Sequence, residues 1–375
     1  MKQKSLTIGN LVSLLEERCP PECAEEWDNV GLLVGDSEQE VRSVVLCIDL
    51  TLEAIQLAQE QECSLIITHH PCLFPRRAHA SAWIQGSLVY QAIQQKIAVA
   101  AFHTNFDQCA LEVNDQISYQ LGLTLKGRLI DQVDLLKLSV FVPITHLDKV
   151  RQAVGEAGGG RIGKYDFCSF ASLGEGCFRP SPFAQPFLGK VNQLEKVQEY
   201  RLEVVFPKGL KSKVLNALRE SHPYEEIAYD LYSIYPNESI HKSMQAGLGY
   251  GFWGDFSSAK TFSEFAQMIK KLFSVSGFLM TRPVPSFVSR MGFVAGKGSR
   301  LLKSALHNQC HVFITGEVGY HLARENAQKG MTVIELGHYE SELFFIKTMK
   351  SWLLEVGVKC IETKNSTQMI WIGGE

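Results

Sequence analysis

Histidines and carboxylates recur in this chain where apolar runs stop, and those side chains bind metals or move protons. In S-L-I-I-T-H-H-P-C-L-F, residues 64–74, a partly β-branched run delivers His69 and His70 before Pro71 stops the element. The run I-A-V-A-A-F, 97–102, ends in His103-Thr104-Asn105-Phe106-Asp107, and H-V-F-I-T, 311–315, reaches Gly316-Glu317-Val318-Gly319-Tyr320-His321. A fourth run, T-V-I-E-L, 332–336, reaches Gly337-His338-Tyr339-Glu340-Ser341-Glu342. His338 and Glu342 are four apart, so one helical turn puts both on one face.

Imidazole with carboxylate and no thiolate suits zinc, manganese, iron or cobalt. His69, His70, His103, Asp107, Glu317, His321, His338 and Glu342 outnumber the ligands of one tetrahedral ion. The residues therefore suggest two divalent metal ions per chain that activate water for hydrolysis. A His-His pair alone is equally a helix cap beside a solvated histidine; convergence of several strand ends is what favours a ligand role.

The elements that must position these groups alternate. A helix over 6–18 precedes a loop containing Trp27-Asp28-Asn29, a polar cluster that reads as a turn, with a place in the lining of a site as the alternative, and a short strand. Strand 43–50, helix 52–62, strand 64–70, helix 86–95 and strand 97–102 follow, which argues for a layered, mostly parallel sheet. From 126 to 245 the texture changes. Strand 136–142, helix 147–156, a Gly/Pro-rich stretch 155–190, strand 201–206, helix 209–220 and strand 227–234 form the split β-α-β pattern of an α+β ferredoxin-like domain.

Within that segment Gly158-Gly159-Gly160-Arg161-Ile162-Gly163 formally matches a dinucleotide fingerprint, but a helix precedes it and a strand follows, the reverse of the required order. His222-Pro223-Tyr224-Glu225-Glu226 reads as a structural turn. After 245 the alternation resumes, and strand 288–295 enters Gly296-Lys297-Gly298-Ser299 before a helix near Leu301. Backbone N–H groups at such a junction suit an anion, which makes Gly296, Gly298 and Ser299 candidates for a substrate phosphate; an ordinary tight turn is the alternative. The spacing is not that of a Walker A loop.

The chain is long enough for two or three domains. Hydrophobic residues at 45% and charged residues at 21% are ordinary for a globular protein, and a formal net charge of -3 gives no bulk attraction to nucleic acid. The basic first residues lack the apolar run of a signal peptide, and no stretch of about 18 apolar residues would span a membrane. Ten scattered cysteines, several inside apolar strands, suggest reduced thiols and a cytoplasmic setting; Cys19-x-x-x-Cys23 has metal-like spacing but no second pair.

L-I-I-T-H-H-P-C-L-F, A-F-H-T-N-F-D, I-T-G-E-V-G-Y-H and L-G-H-Y-E-S-E, with E-E-W-D-N-V-G-L-L-V-G near the start, together resemble the Nif-three-like family, whose members are labelled GTP cyclohydrolase 1 type 2 homologues. The resemblance covers almost the whole chain and implies a layered α/β metal-binding domain formed by residues 1–125 and 246–375. An inserted PII/CutA-like domain, 126–245, is marked by G-G-G-R-I-G-K-Y-D-F-C-S-F and H-P-Y-E-E. It further implies a dinuclear centre held by His69, His70, Asp107, His338 and Glu342. His103, Glu317 and His321 would line the same cavity, either supporting the ligands or acting as acid-base groups, and the molecule would be a homohexamer. Zinc is the first expectation for the metal, and GTP or another phosphorylated small molecule for the substrate, with water attack on the purine ring. The alternative is a metal-stabilised hexameric scaffold or regulator that binds a protein or single-stranded nucleic acid. Cys72 departs from the family pattern, in which an aliphatic residue is common, without removing a ligand.

Overall fold

The computed structural model describes residues 6–73, 84–131, 135–234 and 249–363. Phe74 and residues 245–248, which carry the end of the His-His-Pro stretch and the expected end of the insert, lie outside them. The chain divides into two compact units, residues 1–131 with 249–375, and residues 132–248.

The first unit holds a five-stranded and a six-stranded sheet. In the five-stranded sheet the order is Gly31–Val34, Ala98–Ala101, Leu65–Thr68, Val44–Cys47, Cys360–Glu362, and every pairing is parallel except that of the first strand. The three central strands are buried along their whole length, which explains why they read as unbroken apolar runs. Alternation still sorts their side chains. Leu65 and Ile67 join the core beneath the helix Phe344–Glu355, whereas Ile66 joins the opposite core with Ala54, Ile55 and Val89.

The six-stranded sheet runs Leu279–Met280, Thr332–Glu335, Val312–Thr315, Phe287–Phe293, Phe252–Thr261, Leu123–Gly127, with parallel pairing among Thr332–Glu335, Val312–Thr315 and Phe287–Phe293. Leu123–Gly127 belongs to this sheet, so the change of unit falls after Asp131 instead of at 126. The terminal helix ties the sheets together. Phe344 packs in the core of the six-stranded sheet and its neighbour Phe345 in the core of the five-stranded one.

In the second unit the elements run Leu135–Pro143, helix Leu147–Glu156, Ser169–Phe178, Glu195–Pro207, helix Lys211–Ser221, Tyr229–Ile234. The strands form one antiparallel sheet in the order fourth, first, third, second. Apolar faces of both helices, with Val150, Val154, Val214 and Leu218, cover Leu138, Val140, Leu202 and Val204. Ser169–Phe178 lies inside the stretch read from the sequence as Gly/Pro-rich, where Gly174 and Gly176 dilute the strand's alternation. The Gly158–Gly163 run is a tight turn. Gly160 has φ +74°, and a Cβ there would come 2.4 Å from the Cys168 carbonyl oxygen.

All ten cysteines are free thiols. No helix among the described residues is long and apolar enough to cross a membrane.

Phe345 is 2% exposed, and its ring packs against Phe106 and His69 with centroids 4.9 Å from each. Phe345→Ala is expected to cost about 3–5 kcal/mol in urea unfolding, the range for deleting a buried aromatic ring.

Candidate metal centre

Each parallel core places polar residues just past the carboxyl ends of its strands, where helices begin and backbone turns away from the sheet. His69 and His70 follow Leu65–Thr68; His103 stands one residue before the helix Thr104–Cys109, and His338 opens the short helix His338–Glu342.

The cluster closes on Glu342, which is 5% exposed. Its Oε1 lies 3.1 Å from His338 Nε2 and 3.7 Å from His69 Nε2, and its Oε2 lies 3.2 Å from His70 Nε2. Asp107 Oδ1 is 3.6 Å from His69 Nε2. One ligand atom each from His69, His70 and His103 lies within 4.8 Å of the others, and the same holds for His70, His338 and Glu342. The two groups share His70, a layout suited to two neighbouring ions.

The other ring nitrogens explain which way each imidazole faces. His69 Nδ1–H donates to the Phe102 carbonyl at 2.8 Å, which leaves Nε2 with its lone pair; that atom is buried and has no hydrogen-bond partner. His70 Nδ1 is 2.8 Å from Asp49 Oδ1, His103 Nδ1 is 2.9 Å from Asp28 Oδ1, and His338 Nδ1 is 3.7 Å from Glu317 Oε2. A carbonyl or carboxylate held on one nitrogen orients the ring and makes the other a better ligand. Glu342 Oε2 is also buried, with His70 Nε2 at 3.2 Å as its neighbour and no geometrically sound hydrogen bond. Two buried acceptors without donors are costly unless a cation satisfies them.

Charge bears this out. Burial opposes ionisation of Glu342, yet His69, His338 and His70 hold its carboxyl well below the usual range. Burial disfavours charge on His70, but Asp49 and Glu342 outweigh it and push the imidazole up to about 10. His69 is raised by Asp107 and Glu342 against its burial. Burial raises Asp107, opposed by His69 and His103. Protons and a divalent cation compete for the same lone pairs, and this donor set fits such a cation.

A cavity of about 40 Å³, lined in part by His69, Asp107, Tyr250 and Glu342, lies at the buried side, large enough for an ion or a water. On the other side the His338 and Glu317 side chains are 39% and 49% exposed, so the cluster has one edge open to solvent.

Glycine makes the approach possible. Gly296 has φ +61°, and a Cβ there would stand 2.5 Å from Glu342 Oε1. Its N–H donates to Ser341 Oγ at 2.9 Å, and the Gly298 N–H donates to the Glu317 carbonyl at 3.1 Å. Those two donors of the expected phosphate loop are thus spent on its own neighbours, and Ser299 opens only a single 3-10 turn before the helix Leu302–His307. His321 is exposed on the helix Tyr320–Gln328 with its ring against Tyr320, and no hydrogen bond or ion pair joins it to the cluster among the described residues.

Two participants are not evident from local sequence. Asp28, read first as a turn residue and only second as lining a site, is fully buried and accepts from His103, the Thr104 N–H and hydroxyl, and the Asn29 N–H. Asp49 orients His70; its place just after a buried strand was the available signal.

A family model described as Duf34/NIF3 (NGG1p interacting factor 3) matches residues 6–368. A Bacillus subtilis protein named "GTP cyclohydrolase 1 type 2 homolog" is 35% identical over 343 residues, covering 91% of this chain and 90% of its own. A crystal structure of a Bacillus cereus protein related to NIF3 superposes with a TM-score of 0.74 at 30% identity, covering 99% of this chain and all of that one. A Staphylococcus aureus structure does so at 0.70 and 24% identity, with 99% and 100% covered, a likeness of fold.

Gly296→Ala is expected to abolish any divalent-metal binding by this cluster in calorimetry at near-native secondary structure, because its Cβ must displace the Glu342 carboxylate. Asp28 supplies a pH test. Burial raises its pKa, but bonds from His103, Thr104 and Asn29 prevail and lower it to about 2. The stability it contributes is complete above the ordinary carboxyl value and disappears as pH falls from about 4 to about 2. Urea unfolding of the chelator-treated protein should show wild type exceeding Asp28→Asn by roughly 2 kcal/mol at pH 6, with the gap closing across that window.

Proposed function

The chain belongs to the Duf34/NIF3 family, and we propose that its His/Glu cluster is a dinuclear centre, with zinc as first choice, serving a hydrolase that acts on a purine nucleotide. The observation that carries this reading is the His69 Nε2 lone pair, buried, unpartnered and aimed between the Asp107 and Glu342 carboxylates. His69, His70, Asp107, His338 and Glu342 would hold the ions. Bound there, divalent ions would polarise a substrate oxygen and acidify water.

The chain's own groups supply the rest. Asp28 fixes His103 by its Nδ1 and directs the remaining nitrogen toward the cluster, where it can accept a proton. Glu317, exposed and 3.7 Å from His338 Nδ1, can exchange protons with solvent. Lys297, 69% exposed and 3.9 Å from Glu317, is the cation of the Gly296–Ser299 loop available to a phosphate, and Ser299 its hydroxyl. GTP is the first substrate to test, because the name of the Bacillus subtilis relative points to it. The exposed His338 edge favours catalysis over a purely structural metal.

The second unit's β-α-β-β-α-β order and its strand sequence support a ferredoxin-like, PII/CutA-like insert. A homohexamer and a cytoplasmic setting belong to the same proposal.

Metal analysis of the purified protein beside His69→Ala and Glu342→Ala, coupled to an assay of GTP loss, tests the reading. About two ions per chain with metal-dependent GTP turnover, both lost in the variants, is the expected result. Two ions without turnover would remove GTP and favour another phosphorylated substrate or a scaffold that binds a protein or single-stranded nucleic acid. No bound metal would overturn the centre itself.

A further inference from the structure

The second unit contains a cavity of about 540 Å³ walled by Phe141, Phe178, Phe187 and Tyr224, with one buried acid, Glu199. Ring centroids of Phe178 and Phe187 each lie 6.3 Å from that of Tyr224. Glu199 is 8% exposed, and Tyr224 Oη–H donates to its Oε1 at 2.8 Å. Among the described residues no lysine, arginine or histidine forms an ion pair with it. A carboxylate shielded from water, with one neutral hydrogen bond and aromatic neighbours, lacks a counter-charge.

The strand register builds this arrangement. Glu199 stands opposite Gly174 on Ser169–Phe178, and Gly176 lies two residues further along. A Cβ on Gly176 would come 2.1 Å from Glu199 Oε2, so the glycine makes room for the carboxylate against the sheet. Tyr224 is held in turn by His222, whose Nε2–H donates to the Phe141 carbonyl while Nδ1 accepts the Tyr224 N–H. Glu225 and Glu226 at the lining outnumber Arg179 there, and Glu225 is engaged by the Gln185 N–H.

We propose that this cavity binds a small organic cation, an ammonium group carried on an apolar or aromatic body. Aromatic faces present negative potential to a cation, Glu199 neutralises it, and the volume suits a small molecule. This assignment is independent of the metal centre.

The test is calorimetry on the full-length protein with benzyltrimethylammonium and, as neutral comparison, benzyl alcohol. The cation should bind saturably and about tenfold or more tighter than the alcohol, and Glu199→Gln should erase that preference. Tyr224→Phe removes the hydroxyl on Glu199 and leaves the whole carboxylate for the ligand, so the preference should survive; this keeps the test decisive if Glu199→Gln fails to fold. Absence of saturable binding, equal affinity for both probes, or a preference that persists in Glu199→Gln would overturn the proposal. So would sedimentation showing a self-association that Phe187→Glu disrupts and the cation does not compete with, since a second copy of the chain would then fill the cavity.

Discussion

A carboxylate removed from water sets the terms for the first unit. Glu342 is 5% exposed and stays ionised because three imidazoles from both sheets surround it. Isolated, such a charge would cost several kcal/mol, so everything near it is arranged around its compensation. His69 and His70 come from the five-stranded sheet and His338 from the six-stranded side. Phe344 and Phe345, immediately after Glu342, lock into the two different cores. The same short segment thus supplies the charge and fixes the distance between the sheets that balance it.

The four histidines share a division of labour. Each Nδ1 faces an oxygen of a carbonyl or carboxylate, and for His69, His70 and His338 the Nε2 faces Glu342. The outer oxygens come from Asp28 and Phe102, which are buried, and from Asp49 and Glu317, which are about half exposed. Further ties hold one loop in place. Arg300 and the Tyr250 hydroxyl both donate to Glu25 Oε1, and Gln108, beside Asp107, donates to Tyr250. Orientation of His69 and His103 therefore depends on the packing that buries Phe102 and Asp28.

The excursion into the second unit leaves from Ile130–Asp131 and returns at Gly249–Tyr250, two short strands that pair with each other antiparallel. A chain that departs and re-enters at one ribbon can carry an independent core between the two points. The second unit has such a core and its own acid-bearing cavity.

The sequence by itself determined what local chemistry determines: buried strands as apolar runs, histidines and carboxylates at their ends, and His338 with Glu342 on one helical face. Such features depend on neighbours within a few residues, where periodicity and chain-breaking residues speak directly. It left Asp28 undecided between a turn and a site residue, and Asp49 unmarked, because their partners are 75 and 21 residues away. It also grouped His321 with the cluster, although its ring lies against Tyr320 on the exposed side of the helix Tyr320–Gln328, since strand-end position does not fix where a side chain six residues later points. Only the tertiary structure decided which nitrogen of each imidazole is free, that His70 is common to both ligand groups, and that Gly296 serves Glu342 by having no side chain. Those are properties of atoms brought together from separate sheets, and no local pattern in a chain encodes the distance between them.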